Sequence, residues 1–372
     1  MKRKVAFLFL GETLLIPHLY PIVEALAAAA PDLPIDLWVS TSVHEALLER
    51  WLREDGASNA RIRRAPGYRA LAGFDDGHNP PLPAKLPMLA RLVPALARTP
   101  VVVSAEQTSL WLPRLLPLRT RFVNTLHGAG SMMNRRDPRR QAAWLTLVAA
   151  ERERQALAAF GVDPARIAVT GYIKAGFHHR TAPATLFKDQ RPIVLYNAHW
   201  QQHRSSWWRW GPEVVRRVVA AGRYNLIFAP HQRLIEKAPE VRALCNDLAG
   251  RPDVHCDIDS FATVDGSYTA AADIYLGDTS SQVVEFLMRP RPCVFLDAQG
   301  VDWAGDPSYD MWKAGEVVTD LDDLLPALAR AEALHAGFEK AQRAFAADSL
   351  GDASGAAPRR AAEQVMDALT AR

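Results

Sequence analysis

Short apolar runs closed by turn-forming residues alternate with helically spaced stretches over most of this chain, a pattern that predicts βαβ units and parallel sheet. In the first half, residues 5–10, 35–40, 101–104, 122–126, 145–149 and 167–170 read as strands. Helices are predicted over 17–30, opened by Pro17, and over 151–160, closed by Gly161. A polar stretch around 180–191, with Pro183, Lys188, Asp189, Gln190 and Arg191, interrupts the pattern and reads as a domain boundary. Beyond it the alternation resumes, with strands at 193–196, 225–229, 254–256, 274–276, 292–296 and 317–318. The helices predicted there cover 211–221, 234–248 and 280–288. Residues 321–347 read as a long helical region, 349–358 as a break rich in Gly, Ala and Ser, and 359–369 as a last helix. The expectation is an α/β protein with an N-terminal domain over 1–180, a second over 190–347, and a C-terminal segment, 348–372, whose helix crosses back to the first. Two such sheets in tandem imply a cleft between them.

Length agrees with that division, because 372 residues exceed the roughly 250–300 over which one core keeps growing. With 49% apolar and 23% charged residues, the composition is that of a packed protein and excludes a disordered tail or linker. A net charge of +3 gives no sign of nucleic-acid binding, although it suits an anionic small substrate. Cys245, Cys256 and Cys293 are odd in number and lack the spacing of a zinc site or disulfide framework, which favours a reducing compartment. The basic start followed by VAFLFL imitates a signal peptide. Gly11 and Glu12 cut the run short, however, and no small-residue cleavage site follows, so it reads as a buried first strand. No apolar stretch approaches the ~20 residues needed to cross a bilayer. The expected location is cytoplasmic, with peripheral contact at the inner face of the membrane as the one qualification.

Candidate chemistry gathers where predicted strands end. In the segment 272–297 a buried strand runs into Gly277, Asp278, Thr279, Ser280 and Ser281 and then a helix, whose exposed amides and dipole suit a phosphate group. Glu285, one turn beyond Ser281, could bond a ribose hydroxyl. The bland alternative has Asp278 or Thr279 capping the helix and Glu285 as a solvated surface charge. In FVNTLHGAG, 122–130, a strand ends in His127 and Gly128. Glycine permits close approach of a ligand, and His127 can accept a proton at neutral pH, which makes it the candidate general base. A turn-capping histidine is the alternative. FAPHQ, 228–232, puts His231 at another strand end, and NAHW, 197–200, repeats the arrangement with His199.

Weaker signals surround these. The turn at 11–13 lacks the spaced glycines of a dinucleotide loop and is assigned no cofactor. Asp257 and Asp259 could hold a metal but are more ordinarily solvated, and no Cys or His spacing indicates zinc, so the expected metal complement is none. Trp207, Trp208 and Trp210 read as packing a helix or lining the cleft. Between Pro83 and Phe122, leucines and prolines alternate with Lys85, Arg91, Arg98, Arg114, Arg119 and Arg121. Such a face could rest on anionic lipid and admit a lipid-linked acceptor, the alternative being core helices with solvated arginines.

With these motifs in view, the chain resembles the CDP-glycerol glycerophosphotransferase family, polymerases and primases of teichoic-acid-like chains. The resemblance rests on LHGAG at 126–130, TGYIKAGF at 170–177, FAPHQ at 228–232, GDTSSQVVEF at 277–286 and PRPCVF at 290–295, and covers mainly residues 120–300. It implies the GT-B fold of two facing Rossmann-like domains, His127 as base, His231 on the donor pyrophosphate, and Ser280 and Ser281 on donor phosphate. The family's lysine after its His-Gly motif is replaced here by Met132, Met133 and Asn134, and Gly171-Tyr172 leads to Ile173 and Lys174. The implied activity is transfer of a glycerophosphate or glycosyl group from a nucleotide-activated donor to an acceptor hydroxyl in cell-envelope polysaccharide synthesis, with a polysaccharide or lipid-linked acceptor and no cofactor. Two rivals share these features: a non-hydrolysing UDP-sugar 2-epimerase-like enzyme and a non-catalytic nucleotide-binding protein.

Overall fold

A computed structural model describes residues 3–73, 78–128, 130, 136–183 and 185–371. Ala129 of the LHGAG motif, and Met132, Met133 and Asn134 after it, lie outside the described residues. The chain divides into two compact units, one formed by residues 1–179 with 348–372 and the other by 180–347.

In the first unit, β1 (Val5–Phe9), β2 (Ile35–Thr41), β3 (Ala60–Arg69), β4 (Val101–Ser104), β5 (Arg121–Thr125), β6 (Leu145–Val148) and β7 (Ile167–Val169) form one sheet. Its order is β3-β2-β1-β4-β5-β6-β7 and every described pairing is parallel. All five residues of β1 are buried, as a strand covered by helices on both faces requires. β3 has no counterpart in the sequence reading. It lies at the sheet edge, its residues alternate in exposure, and ARIRRAPGYR carries arginines, a proline and a glycine where an apolar run would advertise a strand.

The second unit holds β8 (Ile193–Asn197), β9 (Asn225–Phe228), β10 (Val254–Cys256), β11 (Ile274–Gly277), β12 (Cys293–Leu296) and β13 (Glu316–Val318) in the order β10-β9-β8-β11-β12-β13, again parallel. Its core joins Tyr196, Trp207, Val214, Phe228, Leu276 and Leu328. Trp207 opens the helix Trp207–Ala220, stacks on Phe228 at 5.5 Å and donates its indole N–H to Glu240, so this tryptophan packs the helix. The helix expected over 234–248 is two, Gln232–Lys237 and Glu240–Asp247, parted at Pro239. A proline disfavours helical geometry in the residue before it, here Ala238.

Both sheets reverse strand order at one place, between β1 and β4 in the first and between β8 and β11 in the second. Open α/β sheets bind ligands beyond the carboxyl ends of the strands at such a reversal. The chain ends within the first unit. There the helix Ala357–Thr370 buries Ala357, Ala361, Ala362, Val365 and Ala368, and Arg360 Nε donates to the carbonyl of Thr170 at 2.6 Å. Arg121 Nη1 likewise donates to the carbonyl of Ala368 at 2.6 Å.

Candidate functional site

Of the candidate catalytic and donor-binding residues, His127 and Gly128 belong to the first unit and His199, His231, Asp278, Thr279, Ser280, Ser281 and Glu285 to the second. His127 lies two residues beyond β5, and its Nδ1 is 3.0 Å from the carbonyl of Ala105, in the turn after β4. A carbonyl only accepts, so Nδ1 carries the proton and the lone pair of the neutral ring is on Nε2. Gly128 has φ +73°, a conformation that favours glycine, and a Cβ placed there would meet nothing within 4 Å among the described residues.

The structure adds His18 to this cluster. It closes the 3-10 helix Thr13–His18 that follows β1, with its ring 6.2 Å from His127 and 5.8 Å from Tyr172. Burial, with Lys174 and His127 adding to it, holds the His18 imidazole well below its ordinary range and hence neutral at pH 7. His18 falls inside the helix predicted over 17–30, whose pattern does not set it apart as a strand-end residue. Its signal was position, some eight residues beyond a strand that borders the reversal in sheet order.

On the second sheet, His199 follows β8 and His231 follows β9, with ring centroids 6.2 Å apart. His199 Nδ1 accepts from the amide of Gln201 at 3.1 Å, and His231 Nδ1 accepts from the amide of Arg233 at 3.2 Å. An amide only donates, so in both neutral rings the proton is on Nε2, the reverse of His127. Burial, reinforced by His231 and Arg204, pushes the His199 pKa down to about 3. Trp200, the neighbour of His199, lies against His231 and carries Arg233 and Lys237 over its ring at 5.3 and 4.5 Å. These cations add positive charge beside His231.

Two assignments change at the 277–285 junction. Asp278 is fully buried, accepting from the amides of His199 at 2.8 Å and Ser206 at 3.0 Å, and so ties the loop after β8 to the end of β11. Burial outweighs those bonds and raises its pKa to about 7. Glu285 is not a solvated surface charge, being only 6% exposed. Ser280, rather than Asp278 or Thr279, caps the helix Ser281–Phe286, its Oγ accepting from the amide of Gln282 at 3.2 Å. Ser281 is half-buried. Thr279 is buried, and its hydroxyl oxygen, like side-chain oxygens of Asn197, Gln201 and Gln232, has no hydrogen-bond partner among the described residues. Four such buried oxygens at the ends of β8, β9 and β11 are a costly concentration of unsatisfied polarity, of the kind a polar ligand relieves.

Asp257 and Asp259 both take part in bonds within the chain. Asp257 accepts from the hydroxyls of Ser260 and Tyr268, and Asp259 pairs with Arg242 at 3.2 Å. Among the described residues no helix is long and apolar enough to cross a membrane.

No family model matches the chain, and no curated protein matches it in sequence. Solved structures do share its fold. A protein assigned as a UDP-N-acetylglucosamine 2-epimerase from Listeria monocytogenes is 15% identical, with 100% of this chain and 98% of that one covered and a TM-score of 0.61. The wall teichoic acid polymerase TagF is 13% identical over 99% of this chain and 89% of its own, with a TM-score of 0.64. HepE from Anabaena, solved with UDP and glucose, is 14% identical over 98% and 100%, with a TM-score of 0.54. At these identities the likeness carries the fold, which is GT-B.

Proposed function

We propose that this chain is a transferase that moves a glycosyl or glycerophosphate group from a nucleotide-activated donor to an acceptor hydroxyl. The observation that carries the reading is that Nδ1 faces a carbonyl in His127 but backbone amides in His199 and His231. His127 keeps its Nε2 lone pair, as a general base requires, whereas His199 and His231 keep Nε2–H, as donors to a phosphate require. His127 Nε2 takes the proton of the acceptor hydroxyl. The hydroxyl oxygen then forms a bond to the anomeric carbon, or to the β-phosphorus, of the donor. The bond from that atom to the departing nucleotide oxygen breaks, and the electron pair stays on the phosphate. His199 and His231 donate to that oxyanion, with Arg233 and Lys237 supplying positive charge nearby.

Ser281 and the helix amides, with the buried Thr279 hydroxyl, suit donor phosphate, and Glu285 suits the ribose. A CDP-glycerol donor and a teichoic-acid-like product rest on the motif resemblance, supported by the shared fold with TagF. Exposed Leu86, Leu115 and Leu116, in the same stretch as the exposed Arg91, Arg98, Arg114 and Arg119, support a lipid-linked acceptor at an anionic membrane surface.

Thermal-shift measurements against CDP-, UDP-, GDP- and CMP-linked compounds identify the donor, since a ligand at 100 times its Kd adds about 2.7 kcal/mol of stability. With that donor, His127→Ala is expected to lower turnover by about 10²–10⁴-fold while donor binding persists. Retention of a tenth of the wild-type rate removes His127 as the base. Because the fold is shared with a 2-epimerase, each donor is also incubated without acceptor. Conversion of a lone nucleotide sugar replaces the transferase reading with epimerisation.

A further inference from the structure

Away from both clusters, the first unit holds a group of imidazoles and carboxylates that the proposed reaction does not use. Asp55 caps the carboxyl end of the helix Ser42–Glu54, Glu24 lies on the helix Tyr20–Ala29, and His178 and His179 follow the 3-10 helix Ile173–Gly176. His179 Nε2 is 3.0 Å from Asp55 Oδ2, and His178 Nε2 is 3.6 Å from Asp55 Oδ1. Each ring turns its other nitrogen to a separate glutamate, His179 Nδ1 to Glu54 at 3.1 Å and His178 Nδ1 to Glu24 at 3.7 Å. Tyr20 donates its hydroxyl to Asp55 Oδ2 at 2.6 Å.

Two imidazole rings, with centroids 4.1 Å apart, turn Nε2 to the two oxygens of one carboxylate, that of Asp55. A metal-bound histidine commonly turns its other nitrogen to a carboxylate, which fixes tautomer and orientation, and here His179 Nδ1 lies 3.1 Å from Glu54. Three ligand atoms, one each from Asp55, His178 and His179, lie within 4.8 Å of one another. Two ligands of one zinc ion at ~2.0–2.2 Å are about 3.4 Å apart, against 3.0 and 3.6 Å from Asp55 oxygens to the imidazole nitrogens of His179 and His178, and the His178 side chain is 55% exposed.

We infer that Asp55, His178 and His179 bind one transition-metal ion of the zinc class, with water completing its coordination and Glu24, Glu54 and Tyr20 orienting the ligands. Two imidazole nitrogens and one carboxylate favour zinc over magnesium or calcium, which prefer all-oxygen sites. The ion would tie the ends of two helices to residues 177–179, where the chain leaves the first unit. Its role is structural, and it stands or falls independently of the transferase reading.

The test uses the full chain without a histidine tag, stripped with a chelator and titrated with ZnCl2 by calorimetry, with melting temperature followed in parallel. Cobalt(II) replaces zinc for visible spectroscopy. The expected result is one ion per chain, a raised melting temperature, and cobalt bands typical of nitrogen and oxygen ligation. His178→Ala, at an exposed position that leaves packing intact, should weaken binding at least tenfold and remove those bands. Glu54→Ala, which leaves all three ligands in place, should weaken it about 10–100-fold. Uptake of less than one ion per chain, or a zinc titration unchanged by His178→Ala, overturns the site, because the metal-free alternative needs neither.

Discussion

Asp278 illustrates how burial decides what a residue can do. Read from the chain, a carboxylate between a strand and a helix suggests a ligand contact or a helix cap. In the structure its oxygens accept from the amides of His199 and Ser206, and so it positions a histidine. Asp278→Ala leaves those buried N–H groups without an acceptor, at about 1–3 kcal/mol each, and is expected to destabilise the chain by about 3 kcal/mol, read as a lowered urea midpoint. Ser281→Ala, at a half-buried position, should change stability by no more than about 0.5 kcal/mol while weakening donor binding. Equal stability losses in the two variants would return Asp278 to the list of donor contacts.

At the level of elements, the strands carry the site because their ends are crowded. Gly277, the last residue of β11, has φ +156°, and a Cβ there would come within 2.5 Å of the carbonyl of Asn197 on β8. Only glycine lets the two strands at the reversal lie this close. The helix Lys85–Leu96 shows the opposite arrangement, since it buries Met88, Leu89, Leu92 and Leu96 while leaving Leu86 and Arg91 exposed. If this segment, with Leu115 and Leu116, meets a membrane surface, the chain should sediment with vesicles containing anionic lipid and not with neutral ones. The bound fraction should fall as salt is raised and in a Leu115→Ser, Leu116→Ser variant. Sedimentation that ignores lipid charge ends that reading.

Across the whole molecule, buried histidines set the response to acid. Burial lowers His44 to about 4 and His199 to about 3, and holds His18 well below its ordinary value. Each is neutral when folded yet binds a proton near pH 6.5 when unfolded. The unfolded chain therefore holds more protons below about pH 6.5, and stability falls as pH drops from there toward 4. Asp278 acts in the other direction, because its folded pKa of about 7 exceeds the unfolded value and its contribution grows as pH falls from 7 toward 4. At about 1.4 kcal/mol per pH unit per group, three histidines outweigh one carboxyl. Urea unfolding at pH 7 and pH 5 should show a lower midpoint at pH 5, with part of that loss abolished in His44→Gln. A higher midpoint at pH 5 would mean that the carboxyl prevails.

Local pattern alone determined the two parallel sheets, because an apolar run between turn formers has few ways to be buried other than as a covered strand. It also marked His127, His199 and His231, since a strand end is visible in the chain and lies where such sheets bind ligands. β3 escaped because an edge strand needs no apolar run, and the break at Pro239 was written in the chain but overridden by helical spacing on either side. Tertiary structure alone decided the rest. Which nitrogen of each histidine holds the proton depends on a carbonyl or an amide brought in from another turn, as at Ala105 for His127. His18, and the joining of Asp55 to His178 and His179 across more than a hundred residues, depend on contacts between segments distant in sequence. Hydrophobic periodicity records only which face of an element is buried and says nothing of which neighbour it meets.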